Sequence, residues 1–253
     1  MVRYKLKLLA KGLILAPRRP HLVFVTLLYI IISASLLMIV VHLSEIGRFQ
    51  MEILQQMNTA AIEALRYGTA LQIPIPELQV TAVGMFFFVV PFLFMWMIDL
   101  GYLYYARGVT RGEEGLGYRS LFEGFNYFLK GILLRLLSYL IFFVGFALFV
   151  VPGIIAMMAF SQADLLLLDH PDKSVFWHLK ESARIMQGHK WEYLVLRLSF
   201  IGWVLLVQVP FLHYAVRVWY TPYSTLTFVN YYHSLTGQGP KVPKDGWQKP
   251  GMF

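Results

Sequence analysis

A chain of 253 residues with 58% hydrophobic residues, 14% charged residues and a mean hydropathy of +0.59 departs from the balance of a soluble domain, and its length suits one compact bundle. Its formal charge of +8 sits in short segments beside apolar runs, a pattern that points to anionic headgroups and the positive-inside rule and away from nucleic acid. Cysteine is absent, which excludes disulfides, thiolate nucleophiles and cysteine metal ligands.

Residues 1–20 carry Arg3, Lys5, Lys7, Lys11, Arg18 and Arg19 among apolar residues such as Leu6, Leu8, Leu9, Leu13 and Ile14. They read as a cytoplasmic amphipathic basic segment lying on the inner membrane face and ended near Pro17. The apolar run from His21 to Val41 has the length of a full crossing and no small-residue cleavage site after it. It is therefore expected to be an uncleaved first membrane helix, 21–43, and not a secretory signal.

Residues 44–77 are predicted to form the outer loop. Helix formers with a scattered apolar stripe run to Gly68, IPIPE then breaks the pattern, and the segment reads as an amphipathic hairpin, a candidate partner-binding surface. Helix 2 is expected over 79–105, bent by Pro91. Its inner end, RGVTRGEEGLGYR, is basic and Gly-rich. The alternation of aromatic and polar residues from Tyr118 to Phe128 reads as an interfacial approach to helix 3, 130–150.

The Pro152–Gly153 pair predicts a turn there, with helix 4 over 154–168. Because helix 4 is short for a crossing, residues 130–168 read either as two full crossings or as a kinked, re-entrant pair. DHPD (169–172) reads as a turn, with Asp172 or Ser174 as the cap of an inner amphipathic helix, 174–187, whose apolar stripe is Val175, Leu179, Ala183 and Met186. Helices 5 and 6 follow at 190–209 and 214–234, and a polar tail covers 237–253.

The expected fold is all-α: a polytopic transmembrane helical bundle of about six membrane helices in one domain, 21–236, with amphipathic interfacial helices and both termini cytoplasmic. The basic residues support that orientation. Six lie in 1–20, four in 106–130, four in 169–190 and three in the tail, which is 17 of the 22 Lys and Arg, all in segments placed inside. The expected localisation is the cell membrane, multi-pass.

From about residue 117 onward the chain resembles a family of uncharacterised bacterial multi-helix membrane proteins, domain of unknown function 975. LFEGF (121–125), VPGII (151–155), FSQADLLLLDHPD (160–172), ESARIMQGHKW (181–191), SFIGW (199–203) and TPYSTLTFVNYY (221–232) carry the resemblance, in order and at the expected spacing. The departures are Asp169-His170-Pro171 where the family more often has Asp-Asn-Pro, the absence of an aromatic near Leu165–Leu168, and a turn before helix 6 that lacks the Gly-rich pattern and adds Arg217. The resemblance implies a plasma-membrane protein. It supplies no activity and no catalytic residues.

Ionisable groups within membrane helices are costly and hence functional candidates. Asp99, Arg135, Asp164 and Arg197 fall in the inner half of the expected bundle and form a candidate polar vestibule, with Arg217 a fifth intramembrane charge. The alternative is that Arg135 and Arg197 snorkel to the interface while the Asp residues accept hydrogen bonds. Arg18, Arg19, His189, Lys190 and Trp191 are candidate contacts for lipid or partner. Ser199 and Gly202 read as small residues allowing close helix packing. No catalytic constellation, cofactor motif or metal spacing is present, so no cofactor or metal is expected. Three functions remain open. One is a non-enzymatic factor binding membrane lipids through anionic headgroups at the inner face, or another membrane protein. The second is a small transporter or exporter with an inward-facing vestibule, and the third is a membrane enzyme acting on lipid headgroups.

Overall fold

The computed structural model describes residues 2–15, 20–68, 81–209 and 212–237. Among these the chain is helical, with no strand: α1 (Val2–Leu15), α2 (Pro20–Leu43), α3 (Glu45–Tyr67), α4 (Ala82–Arg111), a 3-10 helix (Tyr118–Tyr127), α5 (Phe128–Leu148), α6 (Val150–Ala159), α7 (Ala163–Asp169), α8 (Val175–Ile185), α9 (Lys190–Leu198), α10 (Ile201–Val207) and α11 (His213–Thr236). Four stretches of the described residues are long and apolar enough to cross a membrane: His21–Leu43, Ala82–Arg111, Tyr118–Leu148 and Val150–Asp169. The helices divide between two compact units, residues 31–96 and residues 1–30 with 97–253.

In the first unit, α2 ends where Ser44 turns the chain. Its buried hydroxyl donates to the Val40 carbonyl and accepts from the Gly47 N–H at 2.9 Å, capping α3. Gly47 is required by the tightness of this turn, since a Cβ there would lie 2.3 Å from the Val40 carbonyl oxygen. The Glu45 carboxylate accepts the Thr81 hydroxyl at 2.6 Å and the Thr81 N–H, so the start of α3 is tied to the start of α4. Those Thr81 contacts hold the Glu45 carboxyl below the usual range. Residues 45–67 are one continuous helix ended by Gly68 in the left-handed conformation. The expected hairpin break at IPIPE lies outside the described residues.

In the larger unit, the 3-10 helix lies against α4 backbone to backbone. A Cβ on Gly101 would sit 1.9 Å from the Leu121 carbonyl oxygen, and one on Gly124 would sit 2.0 Å from that of Met97. The residues read as an interfacial approach to helix 3 are thus a 3-10 helix continuous with α5. The turn after α5 falls at Phe149, in extended conformation, and not at Pro152–Gly153. Pro152 stands in the first turn of α6, where a missing N–H removes no helical bond. Gly153 serves instead to let α6 approach α5: its Cβ would meet the Phe146 backbone at 2.9 Å.

Helix 4 of the sequence reading is two helices, α6 and α7, separated at residues 160–162. Ser182 of α8 fills that break, donating to the Ala159 carbonyl at 2.7 Å and accepting from the Gln162 N–H at 3.2 Å. Helix 5 is likewise broken, into α9 and α10. Helix 6 is the 24-residue α11, whose Tyr, Thr, Ser, Asn and His residues leave it outside the apolar set. These two features are why four stretches, and not six, qualify by length and hydropathy. The polarity of α11 has a structural reason. Ser224, Thr227, Asn230 and His233 are buried, so this helix turns its polar side chains toward protein.

Two cores result. Leu100, Leu134, Ala163, Leu167, Leu168 and Leu179 form one. The other is aromatic, with Leu6 of α1, Met158, Met186, Tyr193, Leu196, Phe200 and Tyr231. Gly202 has no heavy atom near its added Cβ, so the close-packing role expected of it is not found. We predict that Gly101→Ala and Gly124→Ala each abolish the folded, monodisperse protein in size-exclusion chromatography, whereas Gly202→Ala leaves the elution profile and melting temperature unchanged.

Candidate functional site

Of the four residues expected to form a vestibule, the fold brings three together. Arg135 of α5 reaches Asp164 of α7 through Nη2 at 3.0 Å and Nε at 3.2 Å, and its Nη1 stands 3.8 Å from Asp99 of α4. The first contact is a two-donor hydrogen-bonded ion pair; the second is an ion pair without a hydrogen bond. Tyr29 of α2 donates to the other Asp99 oxygen at 2.9 Å and stacks on Tyr102, ring centroids 4.3 Å apart, while the Tyr102 hydroxyl meets Thr26 at 3.0 Å. A guanidinium cannot lose its proton, so Arg135 is a fixed positive charge between two carboxylates. Arg217 is within electrostatic range of Asp99. Arg197 lies elsewhere, over the rings of Tyr193 and Phe228, 5.6 Å from each centroid.

A second charge cluster was not foreseen. Asp169, the last residue of α7, accepts from Arg107 at 2.9 Å, Arg111 at 2.8 Å and the Tyr232 hydroxyl at 2.7 Å. Its side chain is 4% exposed. Arg107 also donates to the Leu168 carbonyl and covers the Tyr104 ring, so one guanidinium closes both the carboxylate and the C-terminal end of α7. One turn further along α4, the Thr110 hydroxyl meets His233 of α11 at 2.9 Å. Asp169 was expected in a turn with Asp172. The structure separates them: Asp172 is exposed beside Lys173 at 3.1 Å, and Lys173 holds its carboxyl below the usual range. Ser174, not Asp172, caps α8, accepting from the Trp177 N–H at 3.2 Å. The available signal was the four-residue spacing of Arg107 and Arg111, which puts two guanidinium groups on one face at the end of α4.

Helix α8 buries His178, Leu179 and Ser182, and Met186 at its C-terminal cap is buried too, so its inward face includes two polar residues beyond the expected apolar stripe. The His178 ring meets the His170 carbonyl at 3.0 Å. Burial, together with the nearby positive charge of Lys130, holds this imidazole below its ordinary pKa. Among the candidate lipid or partner contacts, Trp191 is 72% exposed, Lys190 opens α9, and His189 pairs with Glu192 at 3.3 Å while its carbonyl accepts from Tyr231. Arg18 and Arg19 lie outside the described residues. No three His, Asp or Glu side chains group as a metal site among the described residues.

Removing the carboxylate charge at Asp169 leaves two guanidinium groups facing a neutral amide in a nearly sealed site. Asp169→Asn is therefore expected to destabilise the protein by about 3 kcal/mol, read as a lowered melting temperature in detergent. Asp172→Asn serves as the exposed control and should not move it.

Neither a curated protein nor a solved structure matches the chain. The family match begins within α5, so LFEGF lies N-terminal to it, while the stretches from VPGII to TPYSTLTFVNYY fall inside. Residues 138–239 match the family described as Protein of unknown function (DUF975), the family that the sequence motifs resemble.

Proposed function

We propose that this is a multi-pass cell-membrane protein of six crossings with both termini cytoplasmic. We further propose that it acts as a non-enzymatic factor binding anionic lipid, or a partner membrane protein, at its inner face. The observation that carries this reading is the division of labour among its charged groups. Arg135, Asp99 and Asp164, and Asp169 with its two arginines, engage one another inside the bundle. Such groups hold helices together and present little to a substrate. The segments assigned to the inner face carry exposed cationic and aromatic side chains, Arg3, Lys5 and Lys11 with Tyr4 on α1, Lys180 with Phe176 on α8, and Trp191 on α9, while α3 also exposes Arg48, Arg66 and Tyr67. Aromatic rings beside Lys and Arg suit a headgroup layer of negative charge.

Two observations support the topology. The Glu45–Thr81 tie is what a loop joining two crossings on one side of a membrane requires. The breaks in α6–α7 and α9–α10 are bridged by side chains, which allows non-helical backbone within a bundle. The transport reading is favoured by one observation: Asp99 and Asp164 keep side-chain exposures of 35% and 27%, so the three-residue cluster is not sealed. Asp169 is enclosed by arginines and Asp172 faces away, which offers nothing to the enzyme reading.

Native mass spectrometry tests the binding function. The wild type is expected to retain phosphatidylglycerol through gentle detergent extraction. The K5Q/K11Q/W191A variant should lose most of it, and Asp164→Asn should keep it. A wild type that retains neither lipid nor protein would overturn the reading. The chain lacks cysteine, so single introduced thiols report topology. Glu52→Cys should react with an impermeant maleimide in intact cells and Lys180→Cys only after permeabilisation; the reverse pattern would refute the orientation.

A further inference from the structure

The break between α9 and α10 is held by a residue of α1, far away in sequence. In a continuous helix the Ser199 carbonyl would accept from the Trp203 N–H. Here that N–H bonds to Phe200 at 3.0 Å, as does the Val204 N–H at 3.1 Å, and the Phe200 N–H bonds back to Arg197 at 3.0 Å. The ladder therefore skips the Ser199 carbonyl. Lys7 takes it up, its ammonium donating to that oxygen at 3.2 Å and standing 4.2 Å from the centroid of the Phe200 ring. Phe200 is 1% exposed and packs among Tyr220, Tyr223 and Phe228. One residue earlier, Leu6 of α1 is buried in the same aromatic core. One face of α1 (Leu6, Ala10 and Leu13) is thus docked on the protein.

The other face is chemically different. Tyr4 is 70% exposed and Leu15 60%, and they share that side with Leu8, Lys5 and Lys11. The described helix carries Arg3, Lys5, Lys7 and Lys11 and not one acidic residue. A short basic helix with exposed aromatic and aliphatic side chains matches a leaflet of anionic phospholipid in both charge and depth.

We propose that α1 is a lipid-set strap: its outer face binds anionic phospholipid headgroups and, in that seated position, Lys7 holds α9 and α10 apart at Ser199–Phe200. When α1 lifts, the Ser199 carbonyl loses its ammonium partner and recovers the Trp203 N–H, and α9 and α10 join into one helix. This deepens the lipid-binding reading above and rests on it.

The absence of cysteine allows paired spin labels at Glu192→Cys and Leu205→Cys in the full chain, both exposed positions on either side of the break. Their separation is measured by pulsed dipolar spectroscopy in vesicles of phosphatidylcholine alone or with phosphatidylglycerol. In anionic vesicles the wild type should show the broken geometry. Lys7→Gln should move the distance toward that of a continuous helix, about 20 Å between α-carbons thirteen residues apart, while Lys7→Arg should keep the wild-type value. Wild type in neutral vesicles, and K5Q/K11Q in anionic ones, should move as Lys7→Gln does. A distance that Lys7→Gln leaves unchanged would overturn the clamp. A wild-type distance equal in both vesicle types would overturn its control by lipid, and retention of phosphatidylglycerol in native mass spectrometry would then show that the binding reading survives. Loss of that retention in the wild type would fell both.

Discussion

A backbone carbonyl or a charge held within an apolar bundle must find its partner inside the protein, and this requirement organises the whole chain. At three interruptions of a helix a side chain meets the freed backbone. Ser44 closes the turn between α2 and α3, Ser182 fills the gap between α6 and α7, and Lys7 takes the carbonyl released between α9 and α10. The breaks are therefore points of attachment. Two of the three join elements distant in sequence, so a local loss of helical hydrogen bonds becomes a tertiary contact.

The buried charges obey the same rule in two ways. Asp169 is saturated: two guanidinium groups and a phenol converge on a nearly inaccessible carboxylate, locking the ends of α4 and α7 to α11. The Asp99–Arg135–Asp164 group is looser, with one short pair, one at 3.8 Å and partly exposed carboxylates. The first arrangement favours rigidity, because separating its members would strand charge in a medium of low polarity. The second leaves an oxygen of each carboxylate less committed, and it links α4, α5 and α7 where the sequence offered only isolated polar residues.

Much of the fold was legible because composition and hydropathy are properties of single segments. The apolar runs within His21–Leu43, Ala82–Arg111 and Tyr118–Leu148 are helical and long enough to cross a membrane, and α4 stays helical beyond its apolar run to Arg111. Ser174 as a cap followed from local chemistry. Features that depend on a second segment were not legible. Gly153 read as a turn residue because glycine permits turns, yet it serves to admit Phe146. Ser182 lies off the apolar stripe expected of its helix, and Asp169 read as part of a turn.

The sequence by itself determined the helical class, the apolar stretches, the bias of positive charge toward particular segments and the family resemblance over the C-terminal half, since each is written in the order of residue types along the chain. Tertiary structure alone decided that Asp99 and Asp164 share Arg135 while Arg197 rests on aromatic rings, that Arg107 and Arg111 meet at Asp169, and that Lys7 reaches a carbonyl 192 residues away. The physical reason is one of range. Hydropathy acts on a segment wherever it lies, whereas a hydrogen bond or ion pair acts over a few ångströms, and only the packing of the helices brings its two halves within that distance.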